Sequence, residues 1–294
     1  MATTRMVPLL LLFFWLFTQA AIGQDEVKIE SIKISDHIYM LTSNSGSGNL
    51  GLFVGQDGTF LIDDQFAPLT DKIVAQVKAV GGDFPRFLIN THYHGDHTGG
   101  NENLGKGGTL IVSHENVRDR LRNGAYIREF DVKMAAANPA GLPVVTFSED
   151  ISFHLNGDTV QAIHVPHSHT DGDAIIHFNN ANVIHAGDVI FSGFYPFIDV
   201  SHGGSIKGVI KGVKLIMSLS DENTKIIPGH GQVSNKEELI SYYTMINTIR
   251  DRVTKAKETG QTFEELDIAA IGAGYEELDG FIPTKAFVSF IWAD

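Results

Sequence analysis

Between Asn90 and Gly100 the chain reads NTHYHGDHTGG, which crowds His92, His94, Asp96 and His97 into one short stretch with three glycines. Imidazole and carboxylate together suit zinc or another first-row divalent metal. The chain contains no cysteine, so thiolate is excluded both as ligand and as nucleophile. In an extended segment alternate side chains share a face, and His92 and His94 can therefore reach one ion. Gly95 then lets the backbone turn and offers Asp96 and His97 to a second ion beside the first. One metal held by four such close neighbours would need a very cramped loop. The spacing predicts two adjacent ions and further ligands from elsewhere in the chain.

Those ligands are present where strands give way to turns. VPHSHTDGD places His167 and His169 after one expected strand, IHAGDVIF places Asp188 after another, and IIPGHG does the same for His230. Glycines flank His230 and permit close backbone approach. Asp63 and Asp64 end a further strand, GTFLIDDQF, from which they can support the ligating residues.

Taken in order, His92-x-His94-x-Asp96-His97, His169-Thr170, Gly187-Asp188 and Pro228-Gly229-His230 resemble the metallo-β-lactamase superfamily over nearly the whole chain after its first residues. The resemblance implies an α/β fold, a four-layer αββα sandwich with a dinuclear site between its halves. It also implies that His92, His94 and His169 hold one metal, that Asp96, His97 and His230 hold the other, and that Asp188 bridges them. Two Zn²⁺ ions are the expected cofactors, with other first-row divalent metals as alternatives. The best-known lactamase subclass has cysteine where Asp188 stands, so the pattern is closer to glyoxalase-II-like and lactonase-like hydrolases. Di-iron members carry glutamate in place of the second histidine, and His94 therefore favours hydrolysis.

Zinc brings the pKa of a bound water from 15.7 to about 7, so the resemblance implies hydroxide attack on a carbonyl, with Asp96 orienting the nucleophile. The expected activity is cleavage of an ester, lactone, thioester or amide in a small-molecule substrate, β-lactams included. Competing readings are a mononuclear iron enzyme that oxidises a sulfur substrate, and a metal-binding module without catalysis.

The N-terminus bounds location. Arg5 precedes an apolar run from Val7 to Phe17, with small residues at Ala21 and Gly23. The run is shorter than the roughly 20 apolar residues of a membrane span, and residues 1–23 read as a cleavable signal for a secreted or periplasmic protein. Residues 24–294 would form the folded domain, with no integral membrane segment. Lys and Arg total 22 against 35 Asp and Glu, a formal net charge of −13, so nucleic acid is not an expected partner.

Along the chain, alternating segments near residues 27–43 predict strands, and SNSGSGNLG (Ser43 to Gly51) predicts the loop of a hairpin. LTDKIVAQVKAV has helical spacing, and helical character is expected from Glu115 to about Ala137. Two strand-rich halves would meet near residues 138–150. SIKGVIKGVKLIM predicts a helix, and Ser234 with Glu237 has the spacing of a capping box before a second, long one. His114 is expected to cap or pack. His37, His154, His164, His177 and His185 are expected within or beside strands, and His202 is a candidate for the pocket border. Phe191, Phe194, Tyr195 and Phe197 form either an apolar substrate wall or core.

Overall fold

The computed structural model describes residues 27–294, so the signal-like segment lies outside the described residues. β1 (Ile29–Lys33), β2 (Ile38–Ser43), β3 (Leu50–Phe53) and β4 (Phe60–Ile62) form an antiparallel meander. Helix α1 (Thr70–Ala79) carries the chain over to β5 (Phe87–Asn90), which runs parallel to β4. Two short helices, α2 (Gly95–Thr98) and α3 (Asn101–Lys106), lead to β6 (Leu110–His114). Beyond α4 (Glu115–Asn123) and a hairpin of β7 (Ala125–Ile127) and β8 (Val132–Met134), β9 (Val145–Phe147) completes a seven-stranded sheet at its parallel edge.

The chain crosses to the second sheet at residues 148–149. There β10 (Asp150–Leu155), β11 (Asp158–His164), β12 (Ala174–Phe178) and β13 (Val183–Phe191) pair antiparallel in sequence order. Helix α5 (Ile206–Leu219) is the crossover to β14 (Lys225–His230), parallel to β13. The chain ends in α6 (Lys236–Glu258), α7 (Ile268–Gly272) and α8 (Thr284–Ala293).

Strand alternation divides the apolar residues into layers. Met40, Phe60, Ile62 and Ile89 of the first sheet face Ile176, Phe178, Val183 and Ile227 of the second in a shared core. Their neighbours Leu61, Leu88 and Ile111 point the other way, onto Ile73, Val77 and Leu104 of α1 and α3. On the far side Ile175, Ile184 and Ile226 pack under Val209, Val213, Ile246 and Ile249 of α5 and α6, with Phe287 and Val288 of α8. The result is a four-layer αββα sandwich, as the resemblance implied. Among the described residues no helix is long and apolar enough to cross a membrane.

Local readings fare less evenly. The helix expected to reach Ala137 stops at Asn123, because Gly124 adopts φ 76°. The chain then doubles back as the β7–β8 hairpin, whose connection includes Asp131 at φ 53°. The long helix α6 is capped by Asn235 rather than Ser234. The Asn235 side chain accepts from the backbone N–H groups of Glu237 and Glu238, while Ser234 is occupied in a backbone bridge to Ile226. Replacing Asn235 with alanine is therefore expected to destabilise the fold by about 1 kcal/mol, seen as a lower denaturant midpoint at unchanged m-value.

Candidate metal centre

The seven residues singled out in the sequence converge at the C-terminal ends of strands from both sheets. His92, His94, Asp96 and His97 follow β5, His169 follows β11, and His230 is the last residue of β14. Asp188 was expected beyond its strand but lies inside β13. Gly187, at φ 50°, accompanies a register shift against β14 there, so the carboxylate leaves the regular pleat and points at the histidines.

The donor atoms form two groups, His92, His94, His169 and Asp188 in one and Asp96, His97 and His230 in the other. In the first, His94 Nδ1 lies 3.1 Å from His92 Nε2 and 2.8 Å from His169 Nε2. Asp188 Oδ2 lies 3.7 Å and 3.4 Å from the same two Nε2 atoms. In the second, His230 Nε2 is 3.3 Å from Asp96 Oδ2 and 3.4 Å from His97 Nε2. Asp188 reaches this group too, with Oδ1 3.2 Å from His97 Nε2 and Oδ2 3.6 Å from His230 Nε2. Ligands about 2.0–2.1 Å from a tetrahedral zinc sit about 3.3 Å from one another, close to these separations.

The other nitrogen of each imidazole is held by an oxygen. His97 Nδ1 donates to Asp63 Oδ2 at 2.8 Å, and Thr91 donates to the same carboxylate from its N–H and hydroxyl. His92 Nδ1 donates in turn to Thr91 Oγ1 at 3.0 Å. His169 Nδ1 donates to Phe197 O at 2.9 Å, His230 Nδ1 to Gly46 O at 3.2 Å, and His94 Nε2 to Asp199 Oδ2 at 3.0 Å. With those protons placed outward, His92, His94 and His169 turn three lone pairs on one another. Such an arrangement repels itself unless a cation stands between, and Asp188 Oδ1 is likewise buried without a well-aligned hydrogen bond. The residues present fit metal ions at both positions.

Electrostatics distinguish the two groups. In the first, burial depresses His92 well below its ordinary value and His169 to about 4. Burial also opposes charging in the second, but the carboxylates outweigh it. Asp188, Asp96 and Asp63 raise His97 well above its usual value, and Asp188 with Asp96 raises His230 to about 10. Burial pushes Asp188 and Asp96 up, yet the facing histidines, His97 foremost, hold both below the ordinary carboxylate range.

Backbone geometry is spent on this arrangement. Asp63 and Gln65 are buried and take left-handed conformations, at φ 58° and 53°, which side chains other than glycine seldom adopt. Gln65 Nε2 donates to Gly48 O at 2.7 Å and ties down the loop after β2. A Cβ at Gly229 would stand 1.9 Å from Asp188 Oδ1, and one at Gly48 2.3 Å from the His97 ring, so both positions exclude any side chain. Asp173 accepts from the N–H and hydroxyl of Thr170, which fixes the turn bearing His169.

Residues 44–230 match the profile of the metallo-beta-lactamase superfamily. The chain belongs to that superfamily. A hydroxyacylglutathione hydrolase of Pelagibacter ubique (strain HTCC1062) is 27% identical over 147 residues, 49% of this chain and 51% of that protein. The chain spans about half the length of the curated relatives it matches. Among solved structures, the metallo-beta-lactamase from Pontibacter korlensis superposes with TM-score 0.61 at 16% identity, covering 75% of this chain and 99% of that one. The stereoselective inverting sec-alkylsulfatase Pisa1 from Pseudomonas sp. gives 0.64 at 12% identity, covering 90% and 50%. These likenesses are of fold.

Within the superfamily framework a cleft of about 420 Å³ opens above Asp96, Asp188 and His230. Phe191 and Phe197 form part of its wall, Phe194 lines an adjoining recess, and Tyr195 is core, stacked on Phe287. His202 does not border the cleft. It is buried behind His94, within 2.9 Å of Tyr93 and Asp199, and Tyr93 also donates to Asp199. His167 stands apart from both groups, bonded to Gly203 O at 3.0 Å. His114 caps α4 and stacks on His164 at 3.7 Å. Sequence reasoning missed Asp199, whose signal was a lone carboxylate inside the apolar run FYPFIDV.

Zinc added to metal-free protein has to displace protons held by His97 and His230, but none held by His92 or His169. Since His230, raised to about 10, holds its proton throughout this range and His97 is shifted in the same direction, affinity of the second group should fall by up to about tenfold per displaced proton for each pH unit lost between pH 8 and 6. His92 and His169, already neutral, should add little to that dependence over the same range. Calorimetric titration in two buffers of different ionisation enthalpy would read two unequal sites, the weaker one releasing protons.

Proposed function

We propose that this chain is an exported dinuclear zinc hydrolase that cleaves a carbonyl ester, lactone, thioester or amide in a small molecule. The observation that carries the reading is Asp188, one carboxylate within ligand reach of both histidine groups at the floor of an open cleft. When bound there, a pair of zinc ions supplies Lewis acidity and a water acidified to near neutrality.

The chain's own residues do the rest. Asp96 has a side chain 25% exposed, the most open of the acidic groups at the site, and it lines the cleft. From that position it can accept a proton from an entering water and orient that water toward the substrate. Asp188, more deeply buried, keeps the two groups of ligands in register. Asp63 and Asp199 fix the orientation of His97 and His94, so that ligand geometry is preset before substrate arrives. Phe191 stacks on His230 at 5.3 Å and Phe197 on His94 at 5.7 Å, which restricts bulk water at the site.

Export is part of the same proposal. It is supported by the apolar run after Arg5 and the small residues Ala21 and Gly23 that follow it. Protein recovered from the periplasm or medium of an expressing cell should begin at Gln24, and full-length protein retained in the cytoplasm would refute export.

Metal analysis of the purified holoprotein should give two zinc ions per chain, and Asp188→Asn should lower both metal occupancy and ester, lactone or thioester turnover by at least about a hundredfold. One iron per chain with oxygen consumption on a thiol would replace the reading with sulfur oxidation. A metal-free active site in freshly prepared, folded protein would end it.

A further inference from the structure

The β7–β8 hairpin, absent from the expectations drawn from sequence, forms one wall of the cleft. Its cross-strand pairs are Ile127 with Val132, Tyr126 with Lys133 and Ala125 with Met134. Alternation sends Ile127, Val132 and Met134 to the cleft. Tyr126 and Lys133 take the opposite face, where the Lys133 ammonium sits 5.8 Å over the Tyr126 ring.

Phe130, at the hairpin tip, joins a file of rings running from solvent to the metal ligands. Phe281 stacks on Phe130 at 5.9 Å, Phe130 meets Phe197 at 4.7 Å, and Phe197 stacks on His94 at 5.7 Å. Phe281 is 68% exposed, Val132 45% and Phe130 42%, so the outer part of this surface is apolar and open to water. Such exposure carries a cost that a soluble protein ordinarily avoids unless a ligand covers the surface. The facing wall is the Ser45–Gly46–Ser47 turn, whose hydroxyls are linked at 2.8 Å. Among the described residues, neither the cleft nor the recess beside it is lined by any lysine or arginine.

We propose that the cleft selects uncharged substrates bearing an aliphatic or aryl group, and discriminates against substrates of equal size that carry a carboxylate. The inference rests on the hydrolase reading and narrows it. The apolar group lies along Phe130, Phe281 and Val132, with the scissile carbonyl over Asp96. A carboxylate on that group would be stripped of water against phenyl rings with no fixed cation to pair with it. β-Lactam antibiotics carry such a carboxylate, so the same wall places them among the poor substrates.

The test uses zinc-loaded enzyme and the p-nitrophenyl esters of acetic, butyric, hexanoic and octanoic acids, with mono-p-nitrophenyl adipate as the charged counterpart of hexanoate. Across the neutral series kcat/KM should rise about two- to fourfold per buried methylene, and adipate should fall at least about tenfold below hexanoate. Phe130→Ala and Phe281→Ala should each flatten the chain-length slope. Val132→Lys should raise the adipate-to-hexanoate ratio about tenfold or more by supplying the missing cation. A flat chain-length profile, or adipate turned over as fast as hexanoate, overturns the inference while leaving the hydrolase reading intact. Failure to turn over any ester, acetate included, overturns the hydrolase reading and the inference with it.

Discussion

Everything in this structure is arranged around an electrostatic conflict. Five imidazoles and two carboxylates present their ligating atoms to one another across a few ångströms, mostly shielded from water. Burying charge without a partner is among the most expensive things a fold can do. Here the partners are built outward in rings. Asp63 serves His97 directly and His92 through Thr91, and Asp199 serves His94 while gathering Tyr93 and His202. The outer partners decide which nitrogen of each ring keeps its proton, and so which lone pairs face inward for a cation.

The two-sheet sandwich is what makes this affordable. Strands ending at the same level in both sheets deliver His92 to His97 from one side and His169, Asp188 and His230 from the other. The shared core beneath them, Ile62 and Ile89 against Ile176 and Ile227, is continuous apolar packing. The glycines at positions 48 and 229 show how tight the fit is, since a single methyl at either would strike His97 or Asp188. Rigidity at the strand ends and the left-handed residues Asp63 and Gln65 are two sides of one requirement, because strain persists only where the surroundings over-determine it.

How much of this was legible in the sequence depends on how local the information was. The candidate ligands could be picked out because metal chemistry restricts residue types and because strand ends carry turn signals; His92, His94, Asp96, His97, His169, Asp188 and His230 all come together in space. The layers followed from alternation. Asp199 escaped because its role is set wholly by what it touches, and no spacing ties it to His94, 105 positions away. The hairpin escaped because Arg, Glu, Lys and Ala around residues 118–137 favour helix locally, while Gly124 and Asp131 act as single-residue punctuation that only the tertiary structure enforces. The cap at Asn235 was lost to a neighbour with equally good chemistry, and the competing bond that settles it, Ser234 to Ile226, forms only once the chain folds back along β14.

The division between what could and could not be read has a physical meaning. The candidate metal ligands are dictated by coordination chemistry and, Asp188 apart, lie at or beyond strand ends, whereas much of the cleft wall comes from the β7–β8 hairpin, the Ser45–Ser47 turn and the segment around Phe281. The exposed apolar side chains of this wall, Phe130, Val132 and Phe281, take no part in the core shared by the two sheets, so substituting them leaves the sandwich in place. A superfamily match therefore speaks to the first set, and the chemistry a given member performs is written in the second. For this chain the hairpin and the segment around Phe281 give the wall apolar side chains and no lysine or arginine lines it, so under the proposed hydrolase reading choice of substrate would follow from the wall and the power to cleave from the floor.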